Sequence, residues 1–179
     1  MDIREVLRQW IRRESQKDEY PAVEPSGWDR DRLVAKLETT YDEPVQYATF
    51  RTPDWAAFTV RGSELGKFDP YPSIGWNWLT GGKTLAGAVD RLQAGELEDE
   101  CPGIVEKVST LRHQHPDCRF GPIIVRQYEE CWPPVALDGN HRALAAILAA
   151  RDGLEVAVEV HLGHESSLNG LPFKQDKTA

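Results

Sequence analysis

Pro134-Val-Ala-Leu-Asp-Gly-Asn-His-Arg-Ala-Leu-Ala-Ala-Ile-Leu148 is the stretch that decides the fold. A short apolar run bounded by Asp-Gly predicts a buried strand over 135–137. Leu144, Ile147 and Leu148 then recur three to four residues apart, which predicts a helix over 140–150 with that side to the core and Gly153 as its αL cap. A strand that turns through glycine into a helix leaves the first helical N–H groups unpaired and pointing outward, where the dipole favours negative charge. The turn is therefore a candidate anion site. Gly139 admits close approach of a ligand, Asn140 is a good N-cap, and His141 and Arg142 add side-chain donors where a phosphate would lie. Asp138 has three roles open to it: orienting Arg142, holding a metal ion or capping the turn. The same pentapeptide is also ordinary turn chemistry with a solvated arginine, so the flanking sequence has to decide.

The flanks are Gly121-Pro-Ile-Ile-Val-Arg126 ahead of the turn and Gly153-Leu-Glu-Val-Ala-Val-Glu-Val160 after the helix. In that order and spacing, over about residues 101 to 162, the chain resembles the ParB/sulfiredoxin superfamily. Its members share a "PI.V" strand, a second strand ending in a G-x-x-R or D-G-x-x-R turn, a helix and a closing strand. The resemblance implies a nucleotide-phosphate site at the helix start, which different members use for CTP-gated DNA clamping, ATP-dependent sulfinic acid reduction, phosphorylation of free serine, or nucleic-acid hydrolysis. It implies that Gly139 and Asn140 meet phosphate oxygens through their N–H groups and that His141 and Arg142 bind phosphate directly. A helix before the "PI.V" strand helps to close the site in the superfamily, which here implicates Lys107 and Thr110, one turn apart on one face. Lys107 would act as a point charge; the alternative is a solvated lysine. Glu64 is a candidate general base by analogy with serine-phosphorylating relatives, as Asp138 and His141 are candidate catalytic groups at the turn.

Two departures narrow the resemblance. Sulfiredoxins place a reactive cysteine just before the His-Arg pair, where this chain has Asn140, so sulfur chemistry is not expected. Partition proteins carry a more arginine-rich box and a helix-turn-helix region beyond it, whereas here the closing strand is expected to end near Gly163, ahead of a polar tail over 164–179.

At 179 residues, 40% apolar and 28% charged, the chain reads as one globular domain with a real core. A net charge of -8 opposes unassisted binding to duplex nucleic acid, which relies on lysine and arginine neutralising phosphates, although a local basic patch is compatible with it. With no bilayer-length apolar run and no signal-peptide core at its start, the chain is expected to be cytoplasmic and to have no membrane partner. Cys101, Cys118 and Cys131, odd in number and irregular in spacing, fit reduced thiols.

Upstream of the motif, Ile3, Val6, Leu7, Trp10 and Ile11 predict an amphipathic helix over 2–16, and Leu33, Val34 and Leu37 one over 28–39. Residues 45–51 and 55–61, parted by Thr52-Pro-Asp54, predict a hairpin. The glycine-rich 62–82 predicts an irregular loop, with helices over 83–93 and 103–114 following. Trp76 and Trp78 in that loop either stack a base or pin the loop to the core. Gly81-Gly-Lys-Thr84 resembles the end of a P-loop, but the pattern needs a glycine where Asn77 stands, so it reads as a helix start. His113, His115 and Cys118 have no second ligand pair at zinc spacing, so no metal site is assigned.

These readings amount to an α/β (α+β) fold: a ParB/sulfiredoxin-like region over 101–163, an N-terminal helical and hairpin region over 1–100 whose hairpin (45–61) could belong to the core, and the tail. The function implied by the resemblance is nucleotide binding, with ATP or CTP and Mg²⁺, leading to phosphoryl transfer to a small molecule or to hydrolysis. A nuclease acting on nucleic acid and a non-catalytic, nucleotide-dependent binding module are the alternatives.

Overall fold

A computed structural model of the chain describes residues 1–17, 20–40, 48, 54–115, 117–127 and 133–164. Among the described residues four strands, β1 (Asp54–Arg61), β2 (Ile123–Arg126), β3 (Val135–Asp138) and β4 (Ala157–His164), form one mixed sheet in the order β1-β4-β2-β3. β4 is antiparallel to β1, with Asp54 opposite His164, and parallel to β2, with Ile123 opposite Val160; β2 and β3 are antiparallel.

β2 explains the layering. Its side chains alternate between two cores: Ile123 and Val125 enter one, Ile124 the other, and none of the three is exposed. A strand that is apolar without interruption needs cover on both faces, and here it has it. On the first face lie α4 (Leu85–Gln93), α6 (Pro102–Gln114), α7 (Asn140–Arg151) and a 3-10 helix (Gly62–Lys67). Leu85, Leu65, Leu144 and Ile147 from these elements pack with Val60, Val158, Val160 and Leu162 of the sheet. The second face carries α1 (Ile3–Glu14) and α2 (Arg30–Thr40), whose Val6, Leu7, Trp10, Ile11, Leu33 and Leu37 pack with Trp55, Ile124 and Leu137. Burying one such side chain contributes about 1.5–3 kcal/mol, against tenths for helix propensity, so the apolar stripe of α1 is what fixes it to the sheet.

The motif region has the predicted strand and helix. α7 closes in a Schellman arrangement: Gly153 at φ 84° donates its N–H to Ala150 O, and Leu154 donates to Ala149 O, both at 3.1 Å. Leu144 and Ile147 are buried and Leu148 partly buried against the same core.

Elsewhere the structure corrects the sequence reading. β1 pairs with β4, a hundred residues on; the other run of the expected hairpin, 45–51, lies outside the described residues except for Ala48, which is helical and buried. The glycine-rich 62–82 is not irregular: it holds the 3-10 helix and α3 (Ile74–Leu79), where Ser73 accepts the N–H of Trp76 at 3.2 Å as N-cap. A further short helix, α5 (Leu97–Glu100), precedes α6. α4 starts two residues later than predicted, with Thr84 as its N-cap, in keeping with reading the Gly-Gly-Lys-Thr run as a helix start. No helix among the described residues is long and apolar enough to cross a membrane. Cys101 and Cys118 are free thiols, and Cys131 lies outside the described residues.

Candidate functional site

The turn between β3 and α7 is built around Gly139, which sits at φ 86° in the left-handed region. A Cβ there would lie 2.9 Å from Nη2 and 3.2 Å from Nε of Arg142, so the space that glycine leaves is taken by the Arg142 guanidinium folding back on the turn. Gly139 is also the N-cap, which corrects the assignment of that role to Asn140. Asn140 is the first helical residue, and its buried amide has other work: Nδ2 donates to Ala136 O at 3.1 Å and Oδ1 accepts the N–H of Tyr71 at 3.3 Å. The first helical N–H to meet a backbone acceptor is that of Ala143, on Gly139 O at 2.8 Å. Those of residues 140–142 are the orphan donors of the helix start, with no acceptor among the described residues.

Asp138 ends β3 and gathers two arginines. Its Oδ2 accepts from Nη2 of Arg142 at 3.0 Å and from Nη2 of Arg13 at 2.7 Å. Arg13 comes from α1, across 125 residues of sequence, so the layer on the second face contributes directly to the turn. Burial alone would raise the Asp138 carboxyl; the charges of Arg142 and Arg13 and the hydrogen bonds from Gly139 N–H and Arg142 outweigh it and hold the group below the ordinary carboxylate range. Burial, opposed by Asp138 and reinforced by the charge of Arg142, pulls the Arg13 guanidinium below its usual value. The carboxylate takes one nitrogen from each arginine. Nε and Nη1 of Arg13 and Nε of Arg142 are left buried without a hydrogen-bond partner. A buried donor without an acceptor costs about 1–3 kcal/mol, and an incoming anion would remove that cost.

His141 follows on the first turn of α7. Burial chiefly, and then the charges of Lys107 and Arg142, push its pKa down to about 4, against a smaller opposing pull from Asp138. The imidazole is therefore neutral near pH 7. The influence of Lys107 on this ring means that α6 brings its lysine charge towards the turn, although the side chain itself is exposed. Trp76 lies on the other flank, its ring centroid 5.1 Å from that of His141 and tilted by 60°. Residues 69–71 carry it there: Asp69 N–H donates to Pro134 O and Asp69 O accepts from Ala136 N–H, both at 2.8 Å, and Tyr71 is held by Asn140. Burial raises the Asp69 carboxyl.

Around the turn, Arg13, Arg142, Lys107 and Lys17 thus act against the carboxylates of Asp138 and Glu14, a local positive excess among the described residues of a chain whose net charge is -8. Glu64, in the 3-10 helix, pairs with Lys67 at 2.8 Å, and Thr110 is exposed on α6; among the described residues no hydrogen bond joins either to residues 138–142. Trp78 is 47% exposed and stacks with Arg91 at 4.8 Å instead of facing His141. No group of three or more His, Cys, Asp or Glu among the described residues is placed to hold a metal ion.

Arg13 is the site residue that sequence reasoning missed, whereas Trp76 was already one of the two tryptophans able to stack a base. For Arg13 a signal existed: it continues the Val6–Trp10 stripe at helical spacing, so a charge lies on the buried side of an amphipathic helix. For Trp76 the aromatic role was named but its place beside His141 was not legible, because the 69–71 connection that delivers it is non-local. The arrangement as a whole can bind an anion: guanidinium donors, orphan helical N–H groups, a neutral imidazole and an aromatic ring share one turn. Comparison with family models, with curated proteins and with solved structures gives no match to this chain.

Proposed function

We propose that the β3–α7 turn binds the phosphates of a nucleotide. The observation that carries this reading is the pair of arginines, one from α1 and one from α7, that meet at Asp138 with buried N–H groups still unpartnered, beside the helix start. In this reading the orphan N–H groups of residues 140–142 and the guanidinium of Arg142 take phosphate oxygens, Lys107 supplies a distant charge, and Trp76 offers a face to the base. Asp138 is a positioning carboxylate that orients both arginines and caps Gly139 N–H. It faces two guanidiniums and so does not fit a cation; Mg²⁺ would enter on the nucleotide's own phosphates. Phosphoryl transfer or hydrolysis at such a turn relies on positioning and charge stabilisation, with neutral His141 as the group able to accept a proton. The salt link from Arg13 also favours a second reading, the nucleotide-dependent binding module, because occupancy of the turn would bear directly on how α1 is held.

Calorimetric titration with ATP, CTP and GTP, with and without Mg²⁺, is expected to give saturable binding of at least one nucleotide. Arg142→Ala is expected to weaken it by about 1.5–3 kcal/mol, the range for a hydrogen bond to a charged group, while the fold persists through the remaining Arg13–Asp138 pair. Phosphate release or transfer that falls with binding identifies an enzyme; binding without turnover identifies the module. No heat with any of the three would refute the phosphate site.

A further inference from the structure

A cavity of about 450 Å³ lies between α4, α6 and α7, away from residues 138–142. It is the size of a small-molecule site, for which about 300–1,000 Å³ is usual, and gaps between helices are where such sites form. Its inner wall is apolar: Val108, Phe120 and Ala149 are each at most 2% exposed, and Leu148 of α7 and Leu154 just beyond it complete that side. Its polar side holds Arg112, His113 and His115 beside Gln93, Ser109 and Cys118, and among the described residues no carboxylate lines it. Arg112 gives Nη2 to Asp152 outside the lining and keeps its other donors. The carbonyl of Ser109 accepts from Nδ1 of His113 at 2.8 Å, which fixes the tautomer, and the ring of His115 tilts against Phe120 with centroids 5.6 Å apart. A chain that is acidic overall has therefore gathered one arginine and two histidines, with no carboxylate among the described lining residues, around a partly open apolar cavity.

We propose that this cavity binds a small, predominantly apolar molecule bearing one acidic group, with the apolar part against Val108, Phe120 and Ala149 and the anion at Arg112 and His115. The site is separate from the β3–α7 turn: Leu148 and Ala149 lie about two turns along α7 from Arg142. It stands whether or not the turn binds a nucleotide.

The test is titration of the 179-residue chain at pH 7 with the fluorescent probe anilinonaphthalene sulfonate. The expected result is saturable binding of one probe per chain with enhanced emission, and a raised melting temperature, as for any ligand that prefers the native state. Phenylnaphthylamine, the same rings without the sulfonate, is expected to bind at least about tenfold more weakly, and Arg112→Gln should remove most of that difference. Ala149→Trp should fill the chamber and abolish binding. Because that variant also crowds a packed helix, Ser109→Trp, at an exposed lining position, provides a second block that leaves the core alone. Absence of saturable binding, or unchanged affinity in Ser109→Trp, overturns the site; equal affinity for the two probes overturns the acidic group.

Discussion

Asp138→Ala is expected to cost the fold about 3–5 kcal/mol, the range for removing one partner of a buried ion pair and stranding the other. Here two guanidiniums would be stranded, side by side, with Arg13 and Arg142 only 17% and 21% exposed. Their repulsion adds to the cost of leaving them without an acceptor. Arg13→Leu removes a charge from the same cluster but leaves Arg142 paired with Asp138, and places an apolar side chain at the edge of the Val6–Trp10 stripe. Its expected cost is about 1 kcal/mol or less. Urea denaturation at pH 7 reads both variants. The asymmetry identifies the carboxylate as the hub; Asp138→Ala costing no more than Arg13→Leu would mean that the turn holds without it.

The second large effect is on the acid side of the stability profile. His141 titrates at about 4 when folded and near its ordinary 6.5 when unfolded, so on acidification the unfolded chain takes up the proton first. Stability is therefore lost as pH falls from about 6.5 to about 4 and levels off below, by on the order of 3 kcal/mol for this residue. Asp138, whose folded value is depressed, works in the same direction: its contribution is present above the unfolded carboxylate range and is lost as pH falls through the folded one. His141→Gln should flatten the profile between pH 6.5 and 4 and leave the Asp138 part. Urea midpoints across that window decide it; a slope unchanged in His141→Gln would show that the ring is not held neutral by its surroundings.

The parts of the fold legible in the sequence are those that local physics controls. The strand at 135–138, the turn through Gly139, the apolar side of α7 and its αL stop at Gly153 all follow from period and turn chemistry. So does α1, from Val6, Leu7, Trp10 and Ile11. What was not legible depends on distant partners. β1 could not be matched to β4 from a run of alternating residues, because strand pairing carries no local label and the nearer turn at Thr52-Pro-Asp54 suggested a hairpin. α3 was hidden by Gly75 and by the prolines at 70 and 72, and forms because Ser73 caps it and Asp69 and Tyr71 are held by β3 and Asn140. At the turn, Asn140 was assigned the cap on residue type alone; tertiary demand for its amide at Ala136 and Tyr71 outweighs that preference. The proximity of Glu64 to the site could not be judged from sequence, and in the structure its carboxylate is turned to Lys67.

A phosphate that enters beside His141 and Arg142 is reported directly by His141. Its ring signals, assigned by comparison with His141→Gln, can be followed by proton NMR against pH in the free protein and at a saturating concentration of whichever nucleotide binds most tightly. The free ring should titrate at about 4. A phosphate within about 4–6 Å favours the imidazolium, so the bound ring should titrate at least about one pH unit higher, and at the same nucleotide concentration Arg142→Ala should shrink the difference as it weakens the binding. An identical His141 titration with and without nucleotide, at a concentration where calorimetry registers saturation, would place the nucleotide elsewhere on the protein and contradict the account.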